Sequence, residues 1–423
     1  MLHADLTAPV CDAHCLIRQP GHRATMRLFT CAATTAGDAV FDMNLMRRFV
    51  VGWSALLLAA CAAPDPTLRG TVGTAYAAIE PDTVVSATYG WSQGARLVRV
   101  VVCTPAHATH APLLVYLPAL GESSDAALRW RTAWATAGYA VMSLQALDED
   151  AAAWSSDLAR AGDFKALGRQ RYGDAEMARR VQTIAAVVGD ARRRATAGDA
   201  VWRGVDWSRV AIAGFDLGAY TALTIAAGRA ADSVAALDGL PVRAVIALSP
   251  LARAVGAAPD TRYATLRSAV LTVTSDADAD PLGLVSGAHA RRTAFDLMQG
   301  PDKFLLSLQG PTHAELGGEV EHKASRSGSA GAKPTSDTGQ RRRKGNKRSS
   351  PDDAATPRGD DADDGESAAA LSPAALQSRM AAAQAVSIAF LDAYVRDAPR
   401  ARQWLDGAAA QSLAVAGGEL LRK

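Results

Sequence analysis

The middle of this chain carries seven short, mostly apolar runs, at 97–103, 113–117, 139–144, 209–213, 242–248, 269–273 and 304–308. Several are separated by stretches with helical character, at 126–137, 174–196 and 219–230. A later amphipathic stretch, 380–395, carries Val386, Phe390, Leu391 and Tyr394. Continuous apolar runs mark strands buried on both faces, and their alternation with helices implies an α/β chain with a mostly parallel sheet covered on both sides. In such sheets, sites form beyond the carboxyl ends of the strands. Those ends are therefore where chemistry is expected.

The flanking regions have a different character. Met46-Arg47-Arg48, the apolar stretch from Phe49 to Ala60, and Cys61 form a basic start, an apolar middle and a small-residue end, the pattern of a secretory signal. Leu58-Ala59-Ala60-Cys61 resembles a bacterial lipobox. That resemblance implies cleavage before Cys61 and lipid on its thiol, and Ala62 after the cysteine points to the periplasmic face of the outer membrane. Signal peptides begin at a true N-terminus, so residues 1–42 read as an extension from a start codon placed too far upstream, and 43–60 as the signal. Residues 1–42 hold Cys11, Cys15 and Cys31. Cys11 and Cys15 with His14 are too few ligands for a zinc site, so no metal is expected. Cys103 lies in an apolar run and reads as core.

Residues 322–372 break the pattern. From Lys323 to Ser350 there are nine Lys/Arg and one acid, and from Pro351 to Glu366 seven acids and one Arg. Large apolar side chains are nearly absent there, so the segment is expected to be a disordered insertion. No aromatic residues interleave with the basic block, and the whole chain carries a formal net charge of +2, so nucleic acid is not an expected partner. The expected organisation is then one domain over 61–321, completed by a helical part over 373–423.

The run 209–213 leads into Gly214-Phe215-Asp216-Leu217-Gly218 and then a helix. A G-x-x-x-G turn of this kind places its central side chain on a sharp strand-to-helix bend, with small neighbours that let the backbone pass. The run 269–273 is followed by Asp276, Asp278 and Asp280, and the run 304–308 by Gly310-Pro311-Thr312-His313. In G-x-[SD]-x-G form and in its order of elbow, acid and histidine, the chain resembles the α/β-hydrolase superfamily, close to its dienelactone-hydrolase-like and lipase-like members, with Asp in place of the elbow Ser. The resemblance spans roughly 90–320 and the last helical part.

That resemblance implies an α/β-hydrolase fold with Asp216 at the nucleophile position, His313 as general base and Asp278 as the acid, with Asp276 and Asp280 as alternatives. It places the oxyanion donors at the N–H of Leu217 and at Ala119 or Leu120, with Gly214 and Gly218 shaping the elbow. A carboxylate needs no deprotonation at neutral pH and attacks a saturated carbon, giving an ester that histidine-activated water hydrolyses. The expected substrate is therefore a small ester, epoxide or alkyl halide, with no cofactor. Trp130, Trp134, Trp154 and Tyr172 are candidates to face the site. A hydrolase fold that no longer catalyses and instead binds a ligand or an envelope partner is the alternative.

Overall fold

The computed structural model describes residues 75–78, 81–94, 96–228, 239–252, 263–264, 266–318 and 371–423. The extension 1–42, the signal, Cys61 and nearly all of the charged insertion lie outside the described residues.

One nine-stranded sheet organises the described chain, in the order β1-β2-β4-β3-β5-β6-β7-β8-β9. Its strands are β1 (Val84–Gln93), β2 (Arg96–Pro105), β3 (Ala111–Leu117), β4 (Ala140–Ala146), β5 (Val205–Phe215), β6 (Val242–Leu248), β7 (Ala269–Ser275), β8 (Lys303–Leu308) and β9 (Gly418–Arg422). From β4 through β8 every neighbour is parallel. The β1-β2 hairpin, the β2-β4 pair and β9 run antiparallel. The chain is thus α/β with a mostly parallel sheet.

The seven apolar runs fall on β2 to β8, and the reason they are continuous is visible in β3. Leu113, Val115 and Leu117 point into one apolar layer, and Leu114 and Tyr116 into the other. The first layer packs against α3 (Phe164–Arg171), α4 (Asp174–Thr196) and α5 (Leu217–Ala226), through Leu167, Val181, Ile184, Val188 and Leu223. The second packs against α1 (Leu128–Thr136) and α8 (Pro373–Tyr394), where Trp130, Trp134, Val386 and Phe390 are buried. Between β4 and α3 the chain makes a three-ten turn at Ala151–Ser155 and a short α2 (Asp157–Arg160). Cys103 is a buried free thiol.

Helix ends follow local chemistry. Ser372 caps α8 by accepting from the Ala375 N–H, with Pro373 in the first turn. The first turn of α4 carries Asp174 and Glu176 and its last turn Arg193 and Arg194, matching the helix dipole. No described helix is long and apolar enough to cross a membrane.

Two antiparallel edge strands escaped the sequence reading. β1 is half-exposed and contains Ser, Thr, Gly and Trp, and β9 has only five residues. Neither carries the doubly buried apolar run that marks the interior. Two further helices, α9 (Pro399–Asp406) and α10 (Ala408–Ala416), lead into β9, and a short α6 (Thr293–Leu297) precedes β8.

Asp392 on α8 ties distant parts of the chain together. It accepts from Tyr76 and from Tyr139, both at 2.8 Å, and Arg396 stands 3.4 Å away. Tyr76 also packs on Trp404, with ring centroids 5.3 Å apart. At the amino ends of the central strands a cleft of about 510 Å³ is lined by His107, His110, Arg209 and Arg396. Three of these four are already paired with carboxylates: His107 with Asp82, Arg209 with Asp206 and Arg396 with Asp392.

Candidate active site

Four neighbouring parallel strands each deliver one polar side chain at the opposite end of the sheet. Asp216 follows β5, Ser249 follows β6, Asp278 follows β7 and His313 follows β8. Backbone bonds hold these strand exits in line: Asp216 N donates to Leu248 O, Ser249 N to Val273 O and Asp276 N to Leu308 O, at 3.0, 2.7 and 3.2 Å.

Asp216 sits at the turn from β5 into α5 with φ 50° and ψ −110°, a conformation that a residue with a Cβ adopts only when its surroundings impose it. The two glycines show how. A Cβ on Gly214 would run into the Gly218 backbone, and one on Gly218 into the carbonyl of Leu117. The elbow is thus pressed against the end of β3, and only glycine fits at either position.

His313 opens α7 (His313–Gly317). Thr312 and Glu315 form a reciprocal capping box that fixes the start of that helix. The imidazole lies against the Phe215 ring, centroids 4.6 Å apart. Its Nδ1 is 2.8 Å from Asp278 Oδ1 and 2.9 Å from Ser249 Oγ. Ser249 itself donates to Asp278 Oδ1 at 2.7 Å, and Thr274 donates to Oδ2 at 2.8 Å. With both Asp278 oxygens receiving hydroxyl donors, the proton on His313 belongs at Nδ1, which leaves the lone pair at Nε2. Burial by itself would raise the Asp278 pKa. The hydrogen bond from His313, the Arg291 charge and the Ser249 bond outweigh it and hold the carboxyl below its ordinary range.

Asp276 and Asp280 do not reach His313 in this way. Asp276 accepts from the Gly310 N–H. Asp280 accepts from the N–H groups of Leu282, Leu284 and Val285, which folds the loop after β7 around it.

Arg291, from the three-ten turn Ala288–Arg292, carries the largest surprise. Its side chain is fully buried, and its Nη1 donates to Asp216 Oδ1 at 2.7 Å and to Ser249 O at 2.9 Å. Nη2 lies 3.4 Å from Asp280 Oδ1, and Nε lies 3.9 Å from Asp278 Oδ1. Burial pulls the Arg291 pKa down, but the charge of Asp216, then Tyr172 and Asp278, more than reverses that, and the net shift is upward. The Tyr172 hydroxyl is buried beside Asp216, and burial followed by the Asp216 charge raises its pKa well above the ordinary value. Of the aromatic candidates, only Tyr172 borders the elbow in this way. Trp130 and Trp134 are core, and Trp154 lies over Gly121 with a partly exposed indole.

The expected oxyanion donors fare differently. Leu217 occupies the first position of α5, where a helix N–H has no partner within its own helix. The Ala119 N–H is engaged: it donates to Glu122 Oε2 at 2.9 Å. Leu120 is buried in the apolar layer next to α4 and α5.

Ser249 and Arg291 were missed in the sequence. Ser249 was within reach of the strand-end rule, since it directly follows the run 242–248. Arg291 carried no such mark. It stands beside Arg292, whose side chain is 39% exposed and pairs with Asp296, and only the fold separates the two. Among the described residues no His/Cys/Asp/Glu group could hold a metal ion. Compared with known proteins, the chain matches no family model and no curated protein sequence.

Proposed function

We propose that this chain is an α/β-hydrolase-fold enzyme, lipid-anchored at Cys61 in the cell envelope, in which Asp216 attacks the alkyl carbon of a small epoxide, alkyl halide or activated ester. The observation that carries the reading is the pairing of a strained Asp216 elbow with a histidine whose Nδ1 is occupied by Asp278. A histidine held in that tautomer presents Nε2 as a general base. In the first step one Asp216 oxygen bonds to the substrate carbon, and the leaving atom takes the bonding pair: a halide or sulfonate departs as the anion, while an epoxide oxygen stays on the product and takes a proton from water. In the second step His313 takes a proton from water, and the hydroxide attacks Cγ of Asp216. The tetrahedral intermediate then expels the alcohol oxygen, which recovers the proton from His313, and the Asp216 carboxylic acid left behind gives its proton to solvent.

A second reading has its own support. A buried guanidinium on Asp216 is what a structural ion pair at a disused elbow would look like, and the chain would then bind a ligand without turning it over. Single-turnover reaction of the mature protein with styrene oxide, 1-bromobutane and butyl tosylate in oxygen-18 water separates the two. The enzyme reading expects the label in the peptide containing Asp216. Absence of both label and product with all three probes overturns the enzyme reading.

A further inference from the structure

We infer that Arg291 is a catalytic residue of the hydrolytic half-reaction. Its guanidinium takes up the negative charge that develops on Asp216 Oδ1 when water attacks the alkyl-enzyme ester. The inference rests on the nucleophilic reading of Asp216 given above.

Three observations converge on it. First, Arg291 Nη1 is already 2.7 Å from Asp216 Oδ1. That contact leaves Oδ2 as the attacking oxygen and puts a fixed positive charge on the atom that becomes the oxyanion, where preorganised charge is most effective. Second, one usual donor is occupied. The Ala119 N–H is bonded to Glu122, and the loop carrying it is fastened by Gln145 Nε2 to Ala119 O, Glu122 O and Glu149 O, and by Arg180 Nη2 to Pro118 O. Third, the charges around Arg291 suit an intermediate in which Asp216 is neutral. An ordinary buried pair loses its balance when one partner is neutralised, which leaves an uncompensated charge. Here Asp280 at 3.4 Å and Asp278 at 3.9 Å remain as counter-ions once Asp216 is esterified.

The charge balance follows through both steps. Alkylation converts the Asp216 carboxylate to a neutral ester as the leaving atom takes the bonding pair. Hydroxide attack returns one negative charge to Oδ1 beside Arg291. Collapse transfers that charge to the departing alkoxide, which His313 protonates, and the Asp216 carboxylic acid left behind releases the second proton of the water to solvent, which restores the carboxylate. Because Arg291 withdraws electron density from the carboxylate, it favours the second step at some expense to the first.

Intact-protein and peptide mass spectrometry after rapid quench, with styrene oxide and 1-bromobutane as probes, tests this. The His313→Gln variant reports on the underlying reading, since blocked hydrolysis leaves an adduct standing on the Asp216 peptide. Arg291→Lys is expected to form the adduct within about threefold of the wild-type rate and to hydrolyse it at least tenfold more slowly. Wild-type hydrolysis in Arg291→Lys, or a defect confined to adduct formation, overturns the assignment while leaving Asp216 as nucleophile. No adduct in His313→Gln overturns the nucleophilic reading and this assignment with it. Should Arg291→Lys fail to fold, the double variant Arg291→Gln/Asp280→Asn removes one charge of each sign from the cluster, and the same adduct lifetimes decide.

Discussion

Three aspartates alternate over residues 276–280, and the turn after β7 gives each a different task. Asp276 fastens the loop before α7, Asp280 gathers backbone N–H groups, and Asp278 faces His313. The Asp278 carboxyl is held below its ordinary range, so the stability it contributes is fully present above about pH 4 and is lost as the pH falls through its lowered value. Asp278→Asn should destabilise the fold by roughly 1–3 kcal/mol at neutral pH, because it puts an amide donor where His313, Ser249 and Thr274 need two acceptor oxygens and removes the charge that faces Arg291. The gap in melting temperature between wild type and variant should narrow between pH 6 and pH 3. A gap that stays constant over that range contradicts the assignment of the shift. The sequence order led to this cluster, because elbow, acid and histidine each follow an apolar run. Choosing among the three aspartates needed the backbone of the turn, since alternate residues of a tight loop do not share a direction. Arg291 was illegible for a stronger reason: its meaning comes from burial, and nothing local distinguishes a buried arginine from an exposed one.

At the scale of elements, the elbow is a packing device before it is a chemical one. β5 and α5 can meet at so sharp an angle only because Gly218 lies against the carbonyl of Leu117 at the end of β3. Gly218→Ala should therefore cost more than about 4 kcal/mol, or prevent folding, since the obstacle is backbone rather than a movable side chain. Gly94 is the control. It has a positive φ of 60° but open space around it, so Gly94→Ala should cost only about 1–2 kcal/mol. Denaturant midpoints of the two variants provide the comparison, and equal losses would refute the packing argument. Interior strands were legible because both of their faces are apolar. The edge strands were not, since β1 shows solvent a mixed face and β9 is short. The first turns of α8 were missed for a related reason: Ala and Gln there leave little apolar periodicity, and the cap at Ser372 marks the start instead.

At the scale of the whole molecule, the formal net charge of +2 sums blocks that cancel, with a basic and an acidic stretch inside one insertion. The described chain resumes close to where it leaves off: Leu371 lies beside Gly310, eight residues before Gly318, and five of the intervening residues are in α7. Replacing 322–370 with an eight-residue Gly-Ser linker, which reaches about 25 Å, should shift the melting temperature by less than about 3 °C. A drop of 10 °C would instead assign the insertion a part in the fold. The Tyr76–Asp392 contact has a mechanical meaning for a chain tethered by its amino-terminal side. A pull applied upstream of Tyr76 does not peel β1 from the edge of the sheet. It loads Asp392, and through it Tyr139 and the long helix α8. An amino-terminal anchor of the kind proposed above would thus draw on the interior of the second apolar layer, with the exposed β1 edge shielded from the strain of anchorage.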